Sequence, residues 1–230
     1  MSTALAIFVK TPGLSPVKTR LAAAIGSTQA ACFYRLAAAA VAAVSRTAMP
    51  AVSPFWAVAE DDALDHPQWI GLPTLWQGTG DLGNRLHRVC AELQARHGRV
   101  LLIGADTPQI SGDLLRRAVA ALNADATPFT LGRAQDGGFW LFGTRVPVPE
   151  AVWLAPRYSS IHTANDLVRA LAPAGAIASL PMLNDVDHGD DLMSLAEALE
   201  ALADPLPEQR ELLDWLRTLP VPATHRQIHA

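Results

Sequence analysis

The sequence has very few cysteines, because Cys32 and Cys90 are the only two among 230 residues. They show neither the CxxC spacing of a redox or metal site nor the cysteine density of a disulfide-stabilised domain. Both lie in helical patterns, so we expect two buried, unpaired thiols. This usage fits a reducing compartment, and we expect a cytoplasmic protein.

Long apolar runs and long basic runs are both missing. The first apolar run, Ala4–Val9, is too short for a signal peptide, and the alanine-rich stretch Ala37–Val44 is too short to span a membrane. The net charge is -4, and no stretch is basic enough for a nucleic-acid groove. The sequence therefore predicts neither a membrane span nor a nucleic-acid partner, and it leaves the oligomeric state open.

The sequence does contain enough apolar residues for a substantial core, since 50% of them are hydrophobic and 17% are charged. A chain of 230 residues with this composition fits one α/β domain and is short for two. We predict a single domain over residues 1–220. The polar end of the chain predicts a flexible tail over residues 221–230.

Apolar, strand-like runs alternate with helical patterns along the chain, which predicts right-handed βαβ units and a mostly parallel sheet. The predicted strands are Leu5–Val9, Phe55–Ala59, Thr74–Trp76, Val100–Gly104, Phe129–Arg133, Phe139–Gly143 and Ala176–Leu180. The predicted helices are Lys18–Ile25, Gln29–Thr47, Leu82–His97, Gly112–Asn123, Thr163–Leu171, Asp190–Ala203 and Pro207–Leu219. The proline-rich stretch Val146–Pro156 is interpreted as a loop. Ligands of such sheets bind beyond the carboxyl ends of the strands, so the residues that follow each strand are the candidate site.

A basic loop follows the first predicted strand. It contains prolines, a glycine and a serine, and it leads into Lys18, Thr19 and Arg20, which open a helix. A helix N-terminus with added cationic side chains is a suitable place for phosphate. The alternative is an ordinary surface loop, because the segment is neither a Walker A loop nor a GxGxxG fingerprint.

Acidic residues follow two other predicted strands. Asp106 comes shortly after Val100–Gly104, where we expect its carboxylate to bind a divalent cation; the alternative is an Asx turn at Asp-Thr-Pro. Asp185 and Asp187 are spaced i, i+2, so they face the same way in an extended segment. One of them is expected to cap the following helix, and the other would complete a metal site with Asp106.

A glycine-rich segment follows the short strand Thr74–Trp76. Gly78 and Gly80 permit a close approach of the backbone to a ligand. Asp81 is predicted to cap the helix that carries Arg85. The alternative is a plain glycine-rich helix entry without a ligand.

Residues 135–138 predict a hairpin turn between two strands, and the sequence Asp-Gly is a strong signal for one. Asp136, Gly137 and Gly138 would be fully explained by that turn. The functional alternative is that they also face a sugar or an acceptor, and both interpretations can hold together.

Five segments together resemble one bacterial family. In chain order they are KTPGLSPVKTRL, GTGDLGNRL, LLIGADTP, QDGGFWLFG and NDVDHGDDL. Their order and spacing are similar to those of the DUF2064 family, also called the radical-SAM/selenodomain-associated transferase 1 family. That family is similar to nucleotide-diphospho-sugar transferases and to small nucleotidyltransferases.

The resemblance implies a Rossmann-like GT-A fold, which is a three-layer sandwich around a mostly parallel sheet. It also implies a bound nucleotide or nucleotide-sugar and a divalent cation, Mg²⁺ or Mn²⁺. Asp106 matches the aspartate that stands in for the DxD motif of glycosyltransferases, and Asp187 matches a second acidic block. These two are the implied metal ligands, and Asp106 and Lys18 are the implied catalytic residues.

The motifs described above and the resemblance together assign the two sides of the site. The implied nucleotide-binding residues are Pro12, Lys18, Thr19, Arg20, Gly80, Asp81 and Arg85. The implied acceptor side is formed by Asp136, Gly137 and Gly138. The implied function is that of a metal-dependent glycosyltransferase; a guanylyltransferase-like nucleotidyltransferase that releases pyrophosphate and a nucleotide-binding protein without turnover stay open. The chain departs from the family pattern at Arg157–Ser160, which leaves the acceptor open.

Overall fold

The structure, a computed structural model, describes residues 2–124 and 126–219. Within these ranges the strands are β1 (Thr3–Val9), β2 (Val52–Val58), β3 (Thr74–Trp76), β4 (Val100–Gly104), β5 (Phe129–Ala134), β6 (Phe139–Thr144) and β7 (Ile177–Leu183). The α-helices are α1 (Thr19–Ile25), α2 (Ser27–Thr47), α3 (Leu82–His97), α4 (Gly112–Asn123), α5 (Glu150–Leu154), α6 (Thr163–Leu171), α7 (Asp191–Glu200) and α8 (Pro207–Thr218). None of these helices has the length and apolar character needed to cross a membrane. The predicted tail, residues 221–230, lies outside the described residues, and the single-domain boundary stays a prediction.

All seven strands form one sheet, in the order β3-β2-β1-β4-β6-β5-β7. Of these strands, only β6 runs in the opposite direction, and it pairs antiparallel with β4 and β5. The pairs β1–β2, β1–β4, β2–β3 and β5–β7 are parallel. The predicted mostly parallel sheet is therefore confirmed. Because six strands run the same way, the loops that follow them emerge at one edge.

Both faces of the sheet are covered, as the apolar sequence of its central strands requires. On β1, Leu5, Ile7 and Val9 pack in one cluster with residues of α2 and α4. Ala4 and Ala6 pack in a second cluster with residues of α3, α5 and α6. Side chains of a strand alternate between its two faces, so β1 contributes to both clusters. This arrangement confirms the predicted three-layer, Rossmann-like α/β fold.

A third apolar cluster joins α1, α2, α7 and α8, and it also contains Val186. Val186 is fully buried in this cluster, together with Leu21 of α1. Because neighbours in an extended chain alternate, burial of Val186 turns Asp185 and Asp187 away from the cluster. The N–H of Val186 also donates to the carbonyl of Asp106 at 3.3 Å. The two acidic segments are therefore joined through the backbone.

Two sequence-based expectations are wrong in detail. The stretch Val146–Pro156, predicted as a loop, contains helix α5, which begins directly after Pro149. A proline is tolerated at a helix start, and the fully buried Trp153 secures the short helix. Both cysteines are unpaired, but Cys32 is only half-buried, because its neighbours on α2 occupy the buried face. Cys90 is buried as predicted, and burial raises the pKa of its thiol to about 12.

Candidate active site

The loops that follow β1, β3, β4, β5 and β7 line one cleft of about 880 Å³ at the carboxyl edge of the sheet. This volume lies within the usual range of small-molecule and cofactor sites. The segment that leads into α6 closes another side of the cleft. The cleft therefore occupies the position at which open α/β sheets bind their ligands.

The loop between β1 and α1 is held by contacts to other parts of the fold. The N–H of Lys10 donates to the Tyr34 hydroxyl at 2.8 Å, and the N–H of Thr11 donates to Glu60 Oε2 at 2.9 Å. The indole N–H of Trp69 donates to Thr11 Oγ1 at 3.1 Å. These bonds satisfy polar groups that the loop would otherwise leave unpaired. They fix the path of the chain as it approaches the cleft.

The ammonium of Lys18 is directed at the acidic residues of the cleft. Its Nζ lies 2.9 Å from Asp106 Oδ2 and 3.1 Å from Asp187 Oδ1, and it donates to the Val186 carbonyl at 2.6 Å. The Lys18 side chain is only 6% exposed. Burial lowers the pKa of Lys18, but Asp106 and Asp187 outweigh burial and raise this pKa above its ordinary value. The lysine therefore stays charged.

Asp187 contacts a second cation, Arg20. Arg20 Nη1 lies 3.1 Å from Asp187 Oδ2, and the arginine side chain is 56% exposed. Burial raises the pKa of Asp187, but Lys18 and Arg20 outweigh burial, and the net result is a lowered pKa. Asp187 is therefore a carboxylate at neutral pH and links the two basic residues of the β1–α1 region.

Three carboxylates, those of Asp136, Asp185 and Asp187, each place one oxygen atom within 4.8 Å of the other two. Burial raises the pKa of Asp185 to about 6, and the charges of Asp136, Asp106 and Asp187 add to this shift. Such crowding of like charges is costly unless a proton or a cation neutralises it. Mg²⁺ and Mn²⁺ prefer carboxylate oxygens as ligands, so the residues of this cluster fit a divalent cation.

The predicted helix cap at Asp185 or Asp187 is wrong. Helix α7 begins later, at Asp191, and the side chain of the residue before it, Asp190, makes no capping hydrogen bond. The carboxylate of Asp191 accepts the N–H groups of Asp187 and His188 at 2.9 and 2.7 Å. Because Asp191 satisfies these donors, the carboxylates of Asp185 and Asp187 are left for the cleft.

Gln77, which follows β3, lines the cleft although the sequence motifs did not indicate it. Its amide nitrogen donates to the carbonyls of Val9 at 3.0 Å and Ala57 at 2.8 Å. The residue is 4% exposed. Since both amide hydrogens are used by the backbone, only the oxygen Oε1 is left to contact a ligand, and it can only accept. Gln77 directly follows strand β3, and this position at a strand end is the sequence feature that indicates a cleft residue.

The glycine-rich entry to α3 is explained by packing. Asp81 Oδ1 accepts the N–H of Asn84 at 3.0 Å, and Asn84 Oδ1 accepts the N–H of Asp81 at 3.3 Å. The predicted cap at Asp81 is therefore confirmed, as a capping box. Gly80 has a φ of +91°, and a Cβ atom there would lie 2.7 Å from Asn84 Oδ1. A Cβ atom at Gly83 would lie 2.5 Å from the Trp153 carbonyl oxygen, so α3 packs closely against α5.

The predicted hairpin between β5 and β6 is confirmed. In its turn, Asp136 Oδ1 accepts the N–H of Gly138 at 2.7 Å. Gly137 has a φ of +91°, and a Cβ atom there would lie 2.3 Å from the carbonyl oxygen of Ile161. Gly137 therefore allows the turn to pack against the segment that leads into α6.

Most of the predicted site residues lie in the cleft. Those that line it are Lys18, Thr19, Arg20, Gly80, Asp81, Arg85, Asp106, Asp136, Gly138 and Asp187. In the part of the chain that the structure describes, Pro12 and Gly137 are not among the lining residues. Pro12 instead takes part in a bridge with Ser15 inside its own loop. Tyr34 lines the cleft from α2, and no sequence signal distinguishes it from a core residue.

The fold and the cleft together define a Rossmann-like α/β protein whose strand-end residues line one charged cleft. The chain belongs to the DUF2064 family, which is described as uncharacterized proteins conserved in bacteria and whose model matches residues 36–160. This confirms the family that the five sequence segments resemble. No curated protein matches the sequence.

The fold is shared with solved structures of transferases. One is a protein of Desulfovibrio desulfuricans that is provisionally described as a nucleotide-diphospho-sugar transferase, with 26% identity, a TM-score of 0.80 and coverage of 94% of this chain and 98% of that chain. A cytidylyltransferase of Leptospira borgpetersenii has 13% identity, a TM-score of 0.58 and coverage of 100% of both chains. Glucosyl-3-phosphoglycerate synthase of Mycobacterium tuberculosis, in complex with Mn²⁺, uridine diphosphate and phosphoglyceric acid, has 9% identity, a TM-score of 0.50 and coverage of 95% and 79%. The last two likenesses show the fold alone.

Proposed function

We propose that the protein is a divalent-metal-dependent transferase that acts on a nucleotide-activated substrate, and that it is a glycosyltransferase of the nucleotide-diphospho-sugar type. The observation that carries this proposal is the convergence of four aspartates, from the loops after β4, β5 and β7, with Lys18 and Arg20 in one cleft. Carboxylates can hold a cation and the two basic residues can hold phosphate, which is what a nucleoside diphosphate requires. The likeness to the Desulfovibrio protein supports the same class.

The proposed cofactor is Mg²⁺ or Mn²⁺. Asp106 and Asp187 are the proposed ligands, and Asp136 and Asp185 lie close enough to Asp187 to share the same ion. The bound cation would neutralise charge on the diphosphate. Glucosyl-3-phosphoglycerate synthase, which has the same fold, is solved with Mn²⁺ and uridine diphosphate, and this supports a divalent cation as the cofactor.

Lys18, Arg20 and Arg85 are proposed to hold the phosphates. Arg20 is more than half exposed, so its guanidinium can turn from Asp187 towards an anion without losing a buried contact. Arg85 donates Nε to the Gly80 carbonyl at 3.1 Å, and its two terminal nitrogens have no partner among the described residues. These residues would stabilise negative charge on the leaving group by position and electrostatics, without a covalent enzyme intermediate.

Gln77 is proposed to contact the base of the nucleotide. Its Oε1 atom has no hydrogen-bond partner within the described ranges, whereas its nitrogen is fixed by Val9 and Ala57. An acceptor held in one orientation selects a ligand that presents an N–H donor. The base of a nucleotide can supply such a donor.

Nucleotidyl transfer is the second candidate reaction, and the likeness in fold to a cytidylyltransferase favours it. The two reactions differ in their leaving group. Glycosyl transfer releases a nucleoside diphosphate, whereas nucleotidyl transfer releases pyrophosphate. A nucleotide-binding protein without turnover would release neither, which makes the released product the measurement that separates all three functions.

The test begins with thermal unfolding of the full chain in the presence of nucleotide sugars and nucleoside triphosphates, each with and without Mg²⁺ or Mn²⁺. A ligand at about 100 times its dissociation constant adds about 2.7 kcal/mol of stability. The most stabilising ligand is then incubated with and without candidate acceptors, and the phosphate-containing product is identified. The absence of a metal-dependent shift with every ligand would contradict the proposal.

Asp106→Asn tests the metal assignment directly. The amide keeps the size of the side chain but removes its charge, so we expect metal-dependent nucleotide binding to be lost while the fold is kept. Asp204→Asn is the matched control, because Asp204 is exposed and lies between α7 and α8. Unchanged affinity of the Asp106→Asn variant for metal and nucleotide in calorimetry would show that the assignment is wrong.

A further inference from the structure

The ammonium of Lys18 has used all of its hydrogen-bond donors. A lysine has three N–H donors, and the acceptors around Nζ are Asp106 Oδ2, Asp187 Oδ1 and the carbonyl of Val186. The side chain is 6% exposed, so water does not compete strongly for it. In this arrangement Lys18 has no donor left for a phosphate. Its contact with phosphate therefore requires that the ammonium gives up at least one of these three acceptors.

The backbone of Lys18 is in a conformation that L-residues seldom adopt. Its φ and ψ are 46° and 47°, in the left-handed region, directly before helix α1. Among the described non-glycine residues, only Lys18 and Ser159 have a positive φ, and both line the cleft. Such strain concentrates at functional sites, where it holds a side chain in a specific position. Here the strained backbone directs the lysine between the two aspartates.

The ammonium and a shared metal ion need the same space. Nζ lies about 3 Å from an oxygen of Asp106 and from an oxygen of Asp187, and a Mg²⁺ ion bound to both oxygens would lie about 2.0–2.1 Å from each. We propose that Lys18 is a built-in cation that occupies the space between Asp106 and Asp187 until a phosphate group draws its ammonium away, so that phosphate and divalent cation bind cooperatively. This inference rests on the proposed function, because it requires that metal and phosphate share the cleft.

Arg20 provides a matched comparison within the same site. It carries the same charge as Lys18 and contacts the same aspartate, Asp187, at the same distance of 3.1 Å. Unlike Lys18, it is 56% exposed, and the structure shows no contact between Arg20 and Asp106. Loss of either cation leaves the site more negative, but only loss of Lys18 also clears the space between the two carboxylates.

Binding of Mn²⁺ alone tests the inference without any assay of activity. The free Mn²⁺ signal in electron paramagnetic resonance is measured during titration of the wild type, Lys18→Met and Arg20→Met, without nucleotide. We expect Lys18→Met to bind Mn²⁺ about tenfold more tightly than the wild type, a coupling of ordinary size. We expect Arg20→Met to change the affinity by less than about threefold, because exposed charges are coupled weakly. Equal tightening in the two variants would overturn the inference.

A second measurement can refute the inference in the wild type itself, so that its refuting outcome does not depend on how well a variant folds. Inorganic pyrophosphate is added as the probe, and Mn²⁺ affinity is expressed against free Mn²⁺ because pyrophosphate binds the metal itself. We expect pyrophosphate to tighten Mn²⁺ binding by about tenfold in the wild type and by much less in Lys18→Met. If the wild type binds Mn²⁺ and pyrophosphate does not change its Mn²⁺ affinity, the inference is refuted, while the proposed metal site is not. If none of the three proteins binds Mn²⁺ under either condition, the proposed metal site fails, and the inference fails with it.

Discussion

Gln209, in the first turn of α8, joins that helix to the loop that carries Asp106. It is 2% exposed. Its Nε2 donates to the carbonyls of Pro108 at 2.8 Å and Ile110 at 3.0 Å, and its Oε1 accepts the N–H of Leu206 at 3.0 Å. Both amide hydrogens and the amide oxygen are therefore satisfied by backbone groups. A buried amide of this kind stabilises the fold only while every partner is in place.

The substitution Gln209→Leu removes these three hydrogen bonds and roughly keeps the volume of the side chain. Each bond contributes about 1 kcal/mol, and a buried carbonyl that loses its donor costs about 1–3 kcal/mol. We therefore expect the free energy of unfolding to fall by about 3 kcal/mol. For a chain of this length, that loss corresponds to a decrease in Tm of about 6–12 °C.

Urea denaturation followed by circular dichroism measures this loss and shows through the m-value whether unfolding stays two-state. Glu211→Ala is the matched control, because Glu211 is exposed on the same helix, and we expect its effect to stay within about 0.5 kcal/mol. A loss of less than about 1 kcal/mol in Gln209→Leu would refute the argument that this amide holds α8 to the loop.

Two further predictions concern stability. A hydrogen bond from Arg157 is the main reason that the pKa of Asp166 is held at about 2, below the value of about 3.9 in an unfolded chain. This carboxylate therefore stabilises the fold above about pH 4 and loses its effect as the pH falls towards 2. The cost of Asp166→Asn in urea denaturation should shrink between pH 7 and pH 3, and an undiminished cost would contradict the ion pair. Gly137→Ala should lower the free energy of unfolding more than Gly98→Ala. Both glycines have a positive φ, but only a Cβ atom at Gly137 meets the backbone of Ile161. Equal losses of stability in urea denaturation would count against that packing.

The bounds of helices and strands are predicted best where capping or turn residues mark their ends. The bounds of β3, β4, α3 and α4 agree with the prediction, since caps or turn residues flank the helices. Strand β2 begins at Val52, earlier than predicted, because Pro54 is atypical of a strand. In the sheet, Pro54 pairs with β1 at Leu5 and lies beyond the end of β3. The missing N–H of Pro54 therefore leaves no hydrogen bond to β3 unmade, because β3 does not extend as far as Pro54.

The candidate site could be predicted only in part. The rule that ligands bind at strand ends indicated Asp106 and the two aspartates after β7 correctly as cleft residues. The contact of Lys18 with Asp187 joins residues 169 positions apart, so no local pattern encodes it. The cluster with Asp136 depends on the pairing of β5 with β7, although β6 lies between them in sequence. Strand order is a property of the whole sheet, which is why these contacts required the structure.

Strand β7 lies at one edge of the sheet, and it pairs with β5. Its residues are half-buried or exposed, in contrast to the buried strands at the centre. This strand nevertheless delivers Asp185 and Asp187 to the cleft. Edge strands open locally at a lower free energy than central strands, and their amide hydrogens exchange sooner. We therefore expect a ligand that contacts Asp187 to slow amide exchange along β7, because local opening of this edge competes with ligand binding.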